Sequence, residues 1–173
     1  MKPALVQVYT GDGKGKSTAA CGLALRAAAH GLKVGFFQFF KPATGESLLL
    51  KSVNNIRVYH PVTRHPAFQH NARRWKEQFQ RNFLRQWKKV KRIINTERFD
   101  LVVLDEILIA VRDGFLPEEQ LLEFLETRPA GCEVVLTGRK LSRSLATRAA
   151  LITEMKAKKH PFPAVKARRG IEF

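Results

Sequence analysis

The chain has 173 residues, 45% of them apolar, which is enough to build one globular domain around a core. Its 31 basic and 15 acidic side chains leave a formal charge of +16, which favours anionic ligands such as nucleotides, nucleic acid or an acidic partner protein. A helical membrane-spanning protein is excluded, because no apolar run approaches the roughly 18 residues that a spanning helix needs.

The first forty residues predict a β–α–β unit. Residues 4–9 form a short apolar run typical of a buried strand. A glycine-rich turn follows, and residues 17–30, rich in Ala and Leu, predict a helix with Gly31 as its C-cap. Residues 33–40 predict the next strand, so the two strands belong to a parallel sheet.

The middle of the chain predicts a short strand at 56–60 and a long basic helix at 71–98. Apolar side chains recur along this helix every three or four positions, at Trp75, Phe79, Phe83, Trp87, Val90 and Ile94. This stripe predicts packing against the sheet, and stacking of its aromatic rings on nucleic-acid bases is the alternative.

The second half continues the alternation of strands and helices. We predict strands at 99–104, 133–136 and 151–155 and helices at 107–112, 117–125 and 141–147. The remaining tail contains two prolines and is predicted as loop with one edge strand. The whole chain, 1–173, is therefore predicted to be a single α/β domain, with a mostly parallel sheet covered by helices on both faces.

The turn after the first strand has the composition of a phosphate-binding loop. Its sequence is TGDGKGKST, residues 10–18. Glycines let successive backbone N–H groups converge on phosphate oxygens, and the following helix adds the partial positive charge of its N-terminus. Lys16 is expected to reach the phosphates and Ser17 to ligate Mg²⁺. The spacing departs from G-x-x-x-x-G-K-[ST], since Thr10 stands at the first glycine position and Gly11 comes one place later.

Two later strands end in charged residues that point to the same site. Asp105 and Glu106 follow the most apolar strand, where ligands bind in open α/β sheets, and are expected to hold Mg²⁺ directly or through water. For Glu106 the alternative is a helix cap. Arg139 follows the next strand and is expected to contact a phosphate or the transition state, with a surface ion pair as the alternative.

Six segments of the chain resemble the P-loop ATP:corrinoid adenosyltransferases. They are TGDGKGKSTAACGLALRAA, QFFKPATGE, FDLVVLDEI, EVVLTGR, TEMKAKKHPF and KARRGIEF. These segments occur in order over about residues 5–173, and the late glycine with the doubled GKGK is that family's own form of the P-loop. Residues 47–98 share little of the resemblance.

The resemblance implies a RecA-like fold, usually in a homodimer, that transfers the 5′-deoxyadenosyl group of ATP to cobalt(I) of a corrinoid and releases triphosphate. It implies that the triphosphate cradle consists of Gly11, Asp12, Gly13, Lys14, Gly15, Lys16, Ser17 and Thr18. Catalytic roles are expected for Lys16 and Arg139, and Mg²⁺ or Mn²⁺ is expected at Ser17, Asp105 and Glu106.

Cobalt(I) is itself a strong nucleophile, so the protein is expected to act by positioning and by stabilising charge on the triphosphate. The family excludes the lower axial ligand of the corrinoid and covers that face with aromatic residues, often from a Phe-x-Trp element. Here Phe68 is the expected aromatic residue, and His70 stands where Trp would be, which is a departure from the family pattern.

The excess basic charge predicts a docking face for an acidic electron donor of the flavodoxin type. Cys21 and Cys132 form no CxxC pair and are expected to be buried, and no secretory signal is visible, so a cytoplasmic protein without a membrane partner is predicted. The rival functions are a nucleic-acid-stimulated ATPase, a small-molecule kinase and a non-catalytic binder of ATP or corrinoid. Nucleic acid is not the expected partner, since no helicase motif set is recognisable.

Overall fold

The computed structural model describes residues 4–65, 72–160 and 164–171, which contain six strands and six helices. The strands are β1 Val6–Thr10, β2 Val34–Phe39, β3 Ile56–Val62, β4 Leu101–Asp105, β5 Glu133–Thr137 and β6 Leu151–Glu154. The helices are α1 Lys16–Ala29, α2 Gly45–Lys51, α3 Ala72–Glu97, α4 Ile107–Arg112, α5 Glu118–Thr127 and α6 Arg143–Arg148.

The six strands form one sheet in the order β3-β2-β4-β5-β1-β6, and every neighbouring pair is parallel. The predicted α/β class is therefore confirmed, and the architecture is that of a RecA-like P-loop fold. Because β5 lies between β1 and β4, the loops that follow these three strands are neighbours at the carboxyl edge of the sheet.

Strands β1 to β5 alternate their side chains between two hydrophobic cores, one on each face, whereas all four residues of the edge strand β6 are exposed. Phe36 of β2 packs with the alanines of α1 and with Leu50 of α2. Phe37 and Phe39, which point the other way, belong to the larger core under α3, α4 and α5. Burial on both faces explains why β2 and β4 read as continuous apolar runs in the sequence.

The apolar stripe of α3 packs into the core beneath the helix from Phe79 to Ile94, as predicted, while the side chain of Trp75 lies outside the described residues. Phe83, Trp87, Val90 and Ile94 are buried, and the indole ring of Trp87 lies edge-on to Phe124 of α5 with ring centroids 5.3 Å apart. These side chains are therefore not available to stack on bases. The opposite face of the helix is exposed and basic.

One helix was missed in the sequence, and one predicted strand is not found in the described part of the chain. Helix α2 was not predicted, although Thr44 caps it in a reciprocal pair with Ser47, a variant of the capping box in which Ser replaces the usual Glu. The edge strand expected in the tail is absent from residues 155–160 and 164–171, and Pro161 and Pro163 remove two of the donors that a strand there would need. Among the described residues, no helix has the length and apolar character needed to cross a membrane.

Candidate nucleotide-binding site

The glycines of the turn between β1 and α1 are required by the close approach of Met155, which follows β6. A Cβ atom at Gly11 would lie 2.4 Å from the Met155 carbonyl oxygen, and one at Gly13 would lie 2.7 Å from it. Gly11 also has φ of +99°, and the Gly13 N–H donates to the Met155 oxygen at 2.7 Å. The glycine that arrives one place late is therefore set by contact with the edge strand.

Lys16, the first residue of α1, is folded into this loop. Its ammonium donates to the carbonyl oxygens of Gly11 and Gly13, both at 2.7 Å, and only 8% of the residue is exposed. Burial lowers the pKa of Lys16, and the carboxylate of Glu106 opposes that shift. The loop thus already surrounds one positive charge with its backbone.

Asp105, the last residue of β4, links the loop to the neighbouring strands. It is fully buried, and its Oδ1 accepts from Ser17 Oγ at 2.8 Å and from Thr137 Oγ1 at 2.7 Å. Its Oδ2 accepts from Gln38 Nε2 at 3.1 Å. The predicted proximity of the phosphate-binding turn and the acidic strand end is therefore present, through a direct hydrogen bond between Ser17 and Asp105.

Glu106 turns its carboxylate towards the same cluster. It is the N-cap residue of α4, with a left-handed φ of 67°, but its side chain makes no capping hydrogen bond. Its backbone N–H donates to Thr137 Oγ1 at 2.8 Å, and its Oε2 is buried without a partner among the described residues. The helix-cap alternative for its carboxylate is therefore not what the structure has.

Lys41, just beyond β2, is a site residue that the sequence analysis missed. Its Nζ donates to Ser17 Oγ at 2.8 Å and lies 3.3 Å from Asp105 Oδ2 and 3.1 Å from Glu106 Oε1. Burial alone would lower the pKa of Lys41, but the two carboxylates outweigh it and raise that pKa. A positive charge therefore sits among three oxygens at the carboxyl edge of the sheet.

The remaining predicted residues lie around the mouth of the loop. Arg139 Nε is 4.0 Å from Asp12 Oδ1, and both side chains are largely exposed, at 55% and 88%. Lys14 Nζ donates to the carbonyl oxygen of Ile171 at 2.6 Å, which ties the C-terminal tail to the loop. Thr18 is exposed on the first turn of α1. The surface ion pair considered for Arg139 is thus present, at the limit of contact.

Phe68 and His70, on which the sequence departs from the family pattern, lie outside the described residues. Gln38, Lys41, Thr137 and Met155 were not predicted as site residues. Each lies in the last two residues of a strand or within two residues after it, at the carboxyl edge that borders the loop, so the position near a strand end was the available signal.

The cluster can hold a small divalent cation only with help from a ligand. No group of three or more His, Cys, Asp and Glu side chains suited to a metal occurs in the described part of the chain. Ser17, Asp105 and Glu106 supply one hydroxyl and two carboxylates, and the partnerless Glu106 Oε2 is free to accept. Mg²⁺ is commonly bound by one or two carboxylates together with substrate phosphates and waters, so this donor set fits it.

Comparison of the chain with known proteins shows which family it is similar to. The family model described as "ATP:corrinoid adenosyltransferase BtuR/CobO/CobP" matches residues 2–173. A corrinoid adenosyltransferase of Pseudomonas aeruginosa is 36% identical over 172 residues, covering 96% of this chain and 82% of its own length. One from Sinorhizobium sp is 37% identical, covering 98% and 80%, and one from Escherichia coli (strain K12) is 35% identical, covering 98% and 85%.

Proposed function

The chain belongs to the ATP:corrinoid adenosyltransferase family, and from that premise we propose how its residues divide the work among nucleotide, cation and corrinoid. The enzyme transfers the adenosyl group of ATP to the cobalt of a corrinoid. The proposed catalytic unit is the whole chain, 1–173, as one domain. The observation that carries the assignment of the site is the hydrogen bond at 2.8 Å between Ser17 and Asp105, which joins the phosphate-binding loop to the acidic strand end.

We assign the triphosphate of ATP to the loop of residues 11–18. Gly11 and Gly13 let this loop pack against Met155, Gly15 precedes α1 with a left-handed φ of 115°, and the N-terminus of α1 favours negative charge. In the contacts described above, the Lys16 ammonium donates only to two uncharged loop carbonyl groups. It can exchange these hydrogen bonds for stronger ones to the charged oxygens of a phosphate. Lys14, Asp12 and Thr18 border this cradle.

The reaction needs no general base. A bond forms between cobalt(I) and C5′ of ATP while the bond from C5′ to oxygen breaks, and its electron pair leaves with the triphosphate. The protein therefore acts by holding C5′ in line with the cobalt and by placing positive charge where negative charge grows. Lys16 and Arg139 are the proposed sources of that charge, and the exposed Arg139 has only a weak ion pair to give up.

We propose Ser17, Asp105 and Glu106 as the residues that hold Mg²⁺, with Mn²⁺ as a substitute. The cation would neutralise part of the charge on the triphosphate. The partnerless oxygen of Glu106 and the presence of an ammonium among the same three side chains support a position that is built for a cation. Phe68 is kept as the proposed aromatic cover of the lower corrinoid face, on the sequence resemblance alone.

A homodimer and an acidic, flavodoxin-type electron donor remain proposals as well. The exposed face of α3 supports a docking site for such a donor, because it presents a row of basic side chains: Lys76, Arg81, Arg85, Lys88, Lys89 and Arg92. Adenosylation from cobalt(II) with that donor should slow as salt is raised, while adenosylation of chemically reduced cobalt(I) should not. Equal salt dependence in both assays would remove the docking proposal, and sedimentation equilibrium tests the dimer.

The site assignment is tested under anaerobic conditions with MgATP and chemically reduced cob(I)alamin. Wild-type protein should give adenosylcobalamin and intact triphosphate in equal amounts. Glu106→Gln should lower kcat/KM by at least about tenfold, the scale of losses at metal ligands and their supports. Glu97→Gln is the control, because Glu97 pairs with Lys33 and Arg57 away from the loop. Unchanged kcat/KM in Glu106→Gln would overturn the proposed cation site.

A further inference from the structure

Lys41 holds the oxygens that the proposed cation would need. Its Nζ is 2.8 Å from Ser17 Oγ, 3.3 Å from Asp105 Oδ2 and 3.1 Å from Glu106 Oε1. These are the three side chains assigned to Mg²⁺, and no fourth residue intervenes between them and the ammonium. Lys41 therefore belongs to the cation site itself.

The backbone before Lys41 is fixed in a way that aims its side chain. Phe40 has a left-handed φ of 58°, and its N–H donates to Val62 at 2.7 Å. Its ring packs in an aromatic cluster with Phe83 and Phe115, at centroid distances of 5.7 and 6.1 Å. A non-glycine residue keeps such a φ only where its surroundings hold it. The backbone conformation at Phe40 therefore places the Phe40 ring against the core and the Lys41 side chain beside the carboxylates of Asp105 and Glu106.

An ammonium and a divalent cation cannot share these three oxygens. Mg²⁺ needs its ligands at about 2.0–2.1 Å in a near-octahedral arrangement, whereas the ammonium uses hydrogen bonds and its own positive charge repels a second cation. Asp105 is fully buried and the Lys41 side chain is 31% exposed, so the two cations would meet where solvent screens their repulsion less than at the open surface. One cation must leave for the other to bind.

We propose that Lys41 is a positioning residue that acts as the resident cation of Asp105 and Glu106 until the divalent cation arrives with ATP. This inference rests on the proposed function of Ser17, Asp105 and Glu106. Bound triphosphate offers the ammonium new anionic partners next to Ser17, so the nucleotide assists the exchange. The divalent cation alone must displace Lys41 without that compensation. Lys41 therefore makes cation binding depend on ATP, and by linkage ATP binding depends on the cation.

The test measures Mn²⁺ binding in the absence of nucleotide, from the electron paramagnetic resonance signal of free Mn²⁺. Lys41→Met removes the competing charge and should bind Mn²⁺ at least tenfold more tightly than wild type. Adding ATP should strengthen Mn²⁺ binding much more in wild type than in the variant. The matched control is Lys33→Met, because Lys33 is a similarly exposed lysine, paired with Glu97 at 2.9 Å, that does not touch the site. Its Mn²⁺ affinity should equal that of wild type.

A Mn²⁺ affinity of Lys41→Met within twofold of wild type would overturn the inference, as would an equal gain in Lys33→Met. Lys41→Gln, which keeps a polar side chain, provides the same comparison if the Met variant does not fold. The double variant Lys41→Met with Glu106→Gln separates this inference from the site assignment. If it retains the tight binding gained in the single variant, Glu106 is not a ligand and the proposed cation site fails. If Glu106→Gln alone abolishes ATP-dependent Mn²⁺ binding while Lys41→Met changes nothing, only the role of Lys41 fails.

Discussion

Thr137→Val should destabilise the protein strongly, although the two side chains have nearly the same shape. Thr137 Oγ1 donates to Asp105 at 2.7 Å and accepts from the Glu106 N–H at 2.8 Å, and the residue is fully buried. Valine removes a hydrogen bond to a buried carboxylate, worth about 1.5–3 kcal/mol, and leaves a backbone donor unpaired. We expect a loss of about 3 kcal/mol in the free energy of unfolding, which corresponds to a Tm lower by about 6–12 °C for a chain of this size.

Urea denaturation followed by tryptophan fluorescence measures this loss, since the buried Trp87 reports on the core under α3. Thr127→Val is the matched control. Its hydroxyl donates to the Glu123 carbonyl group at 2.8 Å on an exposed helix surface, and its loss should cost less than about 0.5 kcal/mol. If Thr137→Val loses less than about 1 kcal/mol, or no more than Thr127→Val, the hydrogen-bond network around Asp105 does not stabilise the fold as argued.

Two further predictions concern the loop and the thiols. Gly13→Ala should lower Tm and weaken ATP binding at least tenfold, because its Cβ would lie 2.7 Å from the Met155 carbonyl oxygen. The control is Gly22→Ala, whose Cβ would lie in open space on α1, and it should be neutral or raise stability by about 0.5–1 kcal/mol. Wild-type Tm and ATP affinity in Gly13→Ala would contradict the close-approach argument. Burial raises the pKa of Cys21 to about 12 and that of Cys132 to about 11, so neither thiol should react with 5,5′-dithiobis(2-nitrobenzoate) at pH 8 until urea unfolds the chain. Rapid labelling of the native protein at either thiol would show that it is accessible.

The fold was largely predictable from the sequence, because its elements carry strong local signals. Every predicted strand from 4–9 to 151–155 lies within two residues of an observed one at each end, whereas the edge strand expected in the tail is not found in residues 155–160 and 164–171. The central strands β2 and β4 are covered on both faces, so they are continuous apolar runs that stand out against the amphipathic helices. Helix α2 was missed because its cap pairs Thr44 with Ser47, so the Glu or Gln that usually marks a helix start three residues after the cap is not there.

The candidate site was predictable only where one segment contains its own chemistry. The loop of residues 11–18 and the pair Asp105 and Glu106 could be predicted because each is one continuous segment, and a hydrogen bond joins them. Lys41 and Thr137 could not be predicted as site residues, because their contacts with Asp105 and Glu106 depend on the order of the strands in the sheet. A lysine after β2 meets carboxylates after β4 only since β2 and β4 are neighbours, and a threonine at the end of β5 reaches Asp105 only since β5 separates β4 from β1.

The same dependence explains the unusual glycine spacing of the loop. A general phosphate-binding pattern places its glycines to suit the ligand, whereas Gly11 and Gly13 also suit Met155, which approaches from the edge strand β6. The shift by one residue thus reflects a neighbour that is distant in sequence by more than 140 positions. The departure from the general phosphate-binding motif therefore follows from packing of the loop against Met155, to which the Gly13 N–H also donates.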